Sequence, residues 1–347
     1  MPTTLPKPIR LRAPGDLYAA IPHLMGFHPT ESLVVLVLRD GAVSMTMRVD
    51  LPRPRHRGLL VAQLEMPLLE QGAEGVILAV ISAPSEHMPE ELPHEPLITA
   101  LANSLGGHGI DVLEAVWLHA CEKDAPWYCY FDLDCHGRLP DPQVSAVAAA
   151  CASDGNVTFE SRAALAAVVT LDSVEARERR SVLLDELMNT EEPPEPAAEL
   201  RRVRAAIDAT EQRKGPLPDV EIVALSRALA HPEVRDACLS YAVQNNARAA
   251  ERLWLDLTRS CPSPERAEPA CLLAFFAYHR GDGGLASVAL DVAEEACFGH
   301  ALARLLRGAL SAALPPEELK TLADKAVLNA RKLLSAGTQS SSGRSHS

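Results

Sequence analysis

The chain of 347 residues is poor in aromatic side chains and in positive charge. It has 3 Trp, 5 Tyr and 6 Phe, so few rings are available to stack on bases or sugars. Its net charge is −13, and phosphate backbones and anionic lipid surfaces repel such a chain. We therefore expect a protein that binds neither nucleic acid nor membranes.

Long apolar runs and closely paired cysteines are also missing. No apolar run approaches the ~18 residues needed to span a bilayer. Pro14, Gly15 and Asp16 follow the basic N-terminal residues, where a secretory peptide needs an apolar core. The 8 cysteines include no CxxC pair and lie in apolar stretches, which is typical of reduced thiols. We expect a cytoplasmic protein without a disulfide framework, a zinc ribbon or a cofactor.

Strand-like and helix-like segments alternate over residues 11–170. Residues 32–38 are almost entirely aliphatic, 39–41 form a turn sequence, and 43–49 alternate apolar with polar residues. This pattern predicts a β-hairpin whose second strand has its odd-numbered residues on the face opposite Thr46 and Arg48. The segments that follow predict an α/β domain: a mixed sheet of about five strands with covering helices.

The second half of the chain has a different composition. Residues 171–215 are densely charged and contain a Glu/Pro run at 191–196, which predicts a charged helical linker. Residues 216–335 carry Ala and Leu at helical spacing between Pro and Gly breaks, which predicts an all-α domain. Residues 336–347 are rich in Ser and predict a disordered tail.

A weak internal repeat lies inside the predicted helical domain. The spacing of Ala250, Trp254 and Leu257 recurs 36 residues later, after a Gly-Asp turn. The repeated string resembles the second half of a tetratricopeptide repeat, in which small residues let paired helices cross closely. A plain helical bundle needs small contact residues too, so both architectures remain open.

Three motifs resemble those of a family of uncharacterised bacterial proteins. They are Gly-Phe-x-Pro-x-x-Ser-Leu-Val at 26–34, Arg-Val-Asp-Leu-Pro at 48–52, and Ala-Tyr-x-Arg-Gly-Asp-Gly-x-Leu-Ala at 277–286. The resemblance covers most of the chain and implies a shared fold and domain order. It implies no activity, because the family is a domain of unknown function that supplies no catalytic or binding residues.

The first candidate site lies in these N-terminal motifs. His28 and Glu31 precede the first predicted strand, and Arg48 and Asp50 end the second, so a hairpin brings the two groups close together. One interpretation is a polar pocket in which an imidazole and a carboxylate perform acid–base chemistry or hold a metal ion. The other, which we favour, is that these groups satisfy the turn that leads into the sheet.

The second candidate site is Asp132, Asp134 and His136, at the end of a fifth strand predicted over 127–132. Carboxylates at i and i+2 face the same way if the strand continues through them, which suits magnesium binding. The pattern resembles phosphohydrolases of the haloacid dehalogenase type, but His136 stands where they have Thr or Val, and the strand comes late in the chain. Turn chemistry is the simpler interpretation.

No nucleotide-binding, hydrolase or zinc-protease motif occurs in the chain. We therefore predict a non-catalytic binding or scaffolding protein that recognises a protein partner through its helical C-terminal domain. Two alternatives remain open. One is a metal-dependent hydrolase of a small phosphate ester or metabolite, and the other is a regulatory sensor of a small ligand.

Overall fold

The computed structural model describes residues 13–83, 91–132, 134–153, 155–190 and 194–342. These residues form six strands and fourteen α-helices. The chain divides into two compact units. Unit 1 comprises the described residues up to Leu165 together with Ser311–Ala313, and unit 2 comprises Ala166–Leu310 and the described residues from Leu314 onwards.

Unit 1 is a mixed sheet with covering helices, as the sequence predicts. Its strands are β1 (Ser32–Arg39), β2 (Ala42–Asp50), β3 (Gly75–Ile81), β4 (Asp111–Leu118), β5 (Pro126–Cys129) and β6 (His136–Arg138). Its helices are α1 (Pro14–Met25), α2 (Arg57–Glu70), α3 (Glu95–Gly107), α4 (Ala146–Ser153) and the first four residues of α5 (Arg162–Ala167). The strand order is β2-β1-β3-β4-β5-β6, with β3 and β4 parallel and every other neighbouring pair antiparallel.

The predicted hairpin forms from β1 and β2, and β1 is buried on both faces. One detail of the prediction is wrong: Val43 does not share a face with Met45. Val37 pairs with Met45 but Leu38 pairs with Val43, so Ser44 is the extra residue of a β-bulge. Because side chains alternate along a strand, the bulge moves Val43 to the opposite face, where it packs with Leu38.

The unit β3-α3-β4 determines where functional groups can gather in unit 1. Parallel strands place their carboxyl ends at the same edge of a sheet, and α3 begins at that edge because it connects the end of β3 to the start of β4. The start of β1 lies beside the end of β3, since Ser32 pairs with Ile81. The end of β2 therefore lies at this edge too, next to Ser32.

Unit 2 is entirely helical in its described residues, as predicted for the C-terminal region. Its helices are α6 (Val174–Thr190), α7 (Pro196–Thr210), α8 (Asp219–Ala230), α9 (Pro232–Cys238), α10 (Ala247–Ser260), α11 (Ala267–His279), α12 (Gly283–Ala296), α13 (Ala301–Ser311) and α14 (Pro316–Ser342). Helix α11 is central: nearly all its residues are buried, as expected of a helix that is apolar all round. It packs mainly against α10 and α12. The resemblance to tetratricopeptide repeats stays a prediction.

The segment 171–215, which we predicted as a charged linker, contributes α6 and α7 to unit 2. Apart from the buried Glu199, the charges of α7 lie on one side, while Leu200, Val203 and Ile207 are buried on the other, so the helix packs as an amphipathic element. Residues 191–193 of the Glu/Pro run lie outside the described residues. Helix α14 extends to Ser342, past residue 336 where we placed the start of a disordered tail, and 343–347 lie outside the described residues. None of the helices in the described ranges is long and apolar enough to cross a membrane.

Candidate functional site

The register of β1 and β2 brings Arg48 and Asp50 together at the start of β1. The Arg48 guanidinium donates from Nε to Ser32 Oγ (2.8 Å) and pairs through Nη2 with Asp50 Oδ1 (2.6 Å). Ser32 Oγ donates in turn to the Thr30 carbonyl (2.6 Å). The Asp50 side chain is 83% exposed, whereas that of Arg48 is 17% exposed. Arg48 thus ties the end of β2 to the turn that enters β1.

Glu31 and His28 make their contacts elsewhere. Glu31 has a left-handed backbone (φ 45°), and its carbonyl accepts the Leu51 N–H (3.1 Å) while Oε1 accepts the Ala83 N–H (3.2 Å). His28 Nδ1 lies 3.1 Å from the Cys121 carbonyl, so this nitrogen carries the proton. These polar side chains therefore hold three neighbouring strand ends together, and this arrangement favours the architectural interpretation.

A histidine that the sequence analysis did not single out lies at the same edge of the sheet. His94 precedes α3 in a left-handed conformation (φ 61°), and Tyr130 Oη donates a hydrogen bond to the neighbouring Pro93 carbonyl. Burial lowers the pKa of the imidazole; the Glu31 carboxylate opposes this shift and Arg57 reinforces it. The Glu31 carboxylate and the Arg57 guanidinium therefore lie close enough to His94 to influence the charge of its imidazole. The position of His94 in the sequence, between a predicted strand and the next predicted helix, could have indicated it as a candidate site residue. Ligands of open α/β sheets bind at that edge of the sheet.

The arrangement of Asp132, Asp134 and His136 favours the simpler interpretation, turn chemistry. Strand β5 ends at Cys129 and not at residue 132 as predicted, so it does not continue through the two aspartates as the magnesium interpretation requires. Asp132 Oδ1 instead accepts the Asp134 N–H (3.0 Å), as in an Asx turn, and both side chains are exposed. His136 begins β6, and its ring lies 5.4 Å from that of Tyr128. Across the described ranges, no group of three His, Cys, Asp or Glu side chains is placed to hold a metal ion.

A chain of polar side chains in unit 2 also escaped the sequence analysis. Arg235 Nη1 donates to Glu268 Oε2 (3.3 Å), and His300 Nε2 lies 3.1 Å from Glu268 Oε1. His300 Nδ1 accepts the Ala303 N–H (3.3 Å) and lies 3.4 Å from Cys271 Sγ. A thiol, an imidazole and a carboxylate in this order resemble a nucleophilic triad. However, Cys271 is fully buried and burial raises the pKa of its thiol, so we interpret the chain as a link that holds α11 to the start of α13.

An open groove lies between α7 and α8 of unit 2, with a volume of about 800 Å³. Small and aliphatic side chains line most of it, with two arginines and one glutamate. The lining residues are Ala198, Arg201, Arg202, Ala205, Ala206, Val220, Glu221, Ala224 and Leu225. We name this surface the α7–α8 groove. The sequence signal for it was present in α7, where Ala and Arg alternate every three to four residues along one face.

The fold defines a two-unit protein, an α/β sheet unit followed by a helical unit. The chain belongs to the family described as "Domain of unknown function (DUF4192)", whose profile matches residues 14–317. This confirms the resemblance drawn from the sequence motifs to a full-length family of unknown function. No curated protein and no solved structure matches the chain.

Proposed function

We propose that this chain is a binding protein that takes up a segment of a partner protein in the α7–α8 groove. The observation that carries the proposal is the groove itself, an open channel between two packed helices of unit 2. Amphipathic helices and extended peptides dock in channels of this kind, with apolar anchors every three or four residues. On the sequence grounds given above, we place this binding in the cytoplasm.

The groove has small side chains where a partner backbone would approach. Ala198 and Ala205 lie seven residues apart on α7, and Ala224 faces them from α8. Val220, at the start of α8, is 69% exposed and offers an apolar contact at one end. Burying apolar surface contributes about 25 cal/mol per Å², so a partner with an aliphatic side chain over Val220 gains affinity there.

The charge on the α7 side favours an acidic partner. Arg202 Nε lies 3.3 Å from Glu199 Oε2, and Arg227 Nη2 lies 3.6 Å from Glu199 Oε1. These two guanidinium groups therefore balance the negative charge of the buried Glu199. Arg201 is exposed and forms no ion pair with any described residue. Because the chain as a whole carries a net charge of −13, an exposed guanidinium without an ion pair among the described residues distinguishes the α7 side of the groove, whereas Glu221 lies on the α8 side. We therefore commit to a partner segment with aliphatic and carboxylate side chains.

Site-specific cross-linking tests this function. A photo-cross-linking amino acid at Ala205 in the native cells captures a partner, which mass spectrometry identifies, and the purified partner is then titrated against the full chain. We expect Ala205→Trp to fill the groove and weaken binding about tenfold or more, equivalent to about 1.4 kcal/mol. Arg201→Gln should weaken binding several-fold and reduce its dependence on salt.

Arg204 is the matched control for both variants. It lies on the same helix but outside the groove, with its side chain 63% exposed. Arg204→Trp and Arg204→Gln should therefore leave the affinity unchanged. A partner that binds Ala205→Trp as tightly as the wild type contacts another surface, and the proposal would then be wrong.

A further inference from the structure

We propose that Cys129 and Cys135 form a site of reversible disulfide formation in the β5–β6 hairpin. The two residues are directly opposite each other: Tyr128 pairs with His136, and the Cys129 N–H donates to the Cys135 carbonyl (3.0 Å) at the next position. Opposed residues of antiparallel strands have Cα atoms about 4.5–5.5 Å apart. Disulfides span Cα separations of about 4.4–6.8 Å, so the pair can close without moving the strands.

Both thiols lie on the same face of the sheet. Side chains alternate along β5 and β6, and the Tyr128 and His136 rings lie together on the other face. Cys135 packs against the cluster of buried residues that contains Tyr18 and Trp127. Burial is the main reason that the pKa of the Tyr18 phenol is raised; negative charge on Glu114 and on either cysteine raises it further, so both sulfur atoms lie near this residue of α1.

The backbone of the hairpin supports the same geometry. Gly137 lies opposite Trp127, and a Cβ atom at Gly137 would come within 2.9 Å of the indole ring. The indole therefore packs flat across the hairpin, two pairs away from the two cysteines, and holds the strands in this register. Both cysteines are free thiols in the structure.

The proposed chemistry is exchange with a low-molecular-weight disulfide, RSSR. The thiolate of Cys135, the more exposed of the two, attacks RSSR, forms a Cys135–SR mixed disulfide and releases one RS⁻. The Cys129 thiol then loses its proton, attacks Sγ of Cys135 and displaces the second RS⁻. The protein loses two electrons and two protons, and RSSR is reduced to two RSH. The ring that closes contains the exposed turn with Asp132 and Asp134, so oxidation constrains that turn.

The test treats the folded full chain with excess glutathione disulfide, blocks the remaining thiols with iodoacetamide, and maps the tryptic peptides by mass spectrometry. Cleavage after Lys123 and Arg138 leaves both cysteines in one peptide, 124–138. We expect this peptide to be about 2 Da lighter than its dithiol form and to resist alkylation. Because burial raises the pKa of the Cys135 thiol, the rate should rise about tenfold per pH unit from pH 7 to 8.

Two comparisons make the outcome decisive. Cys129→Ser removes the second thiol, so glutathione should remain attached to Cys135 in this variant and not in the wild type. Cys151, also partly exposed, should carry at most a glutathione adduct and form no internal bridge. A wild-type peptide that stays fully alkylated, or that keeps glutathione on Cys135 as stably as the variant does, would overturn the proposal.

Discussion

Replacement of Arg180 by methionine tests which contacts hold unit 2 together. The guanidinium is 8% exposed and donates to Asp219 Oδ1 (2.7 Å), Asp172 Oδ2 (2.6 Å) and the Ser260 carbonyl (2.9 Å). Asp219 begins α8, Ser260 ends α10 and Asp172 precedes α6, so a single side chain joins three helices. Met has a similar length but no donor, so it leaves all three acceptors without this partner.

The expected loss follows from the exposure of the groups left behind. Removing one partner of a buried ion pair costs about 3–5 kcal/mol. The two carboxylates here are 27% and 35% exposed and regain part of their hydration, which brings the expected loss to about 2–4 kcal/mol. Arg179 is the matched control: it lies beside Arg180, is 60% exposed and contacts the same Asp219 at 3.3 Å. Arg179→Met should cost about 0.5 kcal/mol or less.

Urea unfolding followed by far-UV circular dichroism measures both variants. The hydrogen bond from Arg180 lowers the pKa of Asp219 in the folded state. Such a group stabilises the fold above its unfolded pKa of about 3.9, and the contribution disappears as the pH falls through the folded pKa. The difference in the free energy of unfolding between wild type and Arg180→Met should therefore be largest near pH 7 and should decrease below about pH 4. Equal midpoints for the two variants at pH 7 would refute this account of unit 2.

Three further predictions concern single contacts, each measured as a change in the free energy of unfolding. Asp50→Ala should cost less than about 1 kcal/mol because its carboxylate is exposed. Arg48→Met should cost about 1–2 kcal/mol because the buried Ser32 hydroxyl loses its donor. Equal costs for the two variants would contradict this geometry. Gly137→Ala should cost about 1–3 kcal/mol by a clash with the facing indole, while Gly107→Ala, with nothing within 4 Å of its Cβ, should be neutral or stabilising. His300→Ala should cost about 1–2 kcal/mol because it removes the N-terminal cap of α13. An unchanged unfolding midpoint would show that neither the cap nor the contact with Cys271 contributes to stability.

The N-terminal candidate site shows which contacts residue patterns predict and which they do not. The alternating apolar residues of β2 predicted the hairpin, and the hairpin alone placed Arg48 and Asp50 beside the start of β1. The hairpin did not reveal that Glu31 and His28 form hydrogen bonds with the segments that follow β3 and β4, because those contacts depend on strand order. The sequence did not predict that Asp50 is exposed either, since its exposure depends on how far the side chain extends past the sheet edge.

Residue patterns were enough to predict the order of the two kinds of unit, the first hairpin with its buried strand β1, and the amphipathic helices. These features follow from local hydrophobic periodicity and turn residues, which act over a few neighbours. The links between distant segments could not be predicted in this way: the ion pairs of Arg180 with two aspartates, the α7–α8 groove, and the opposed positions of Cys129 and Cys135. These depend on register, on the three-residue strand β6 and on helix packing, and a bulge of one residue reverses which face a side chain occupies.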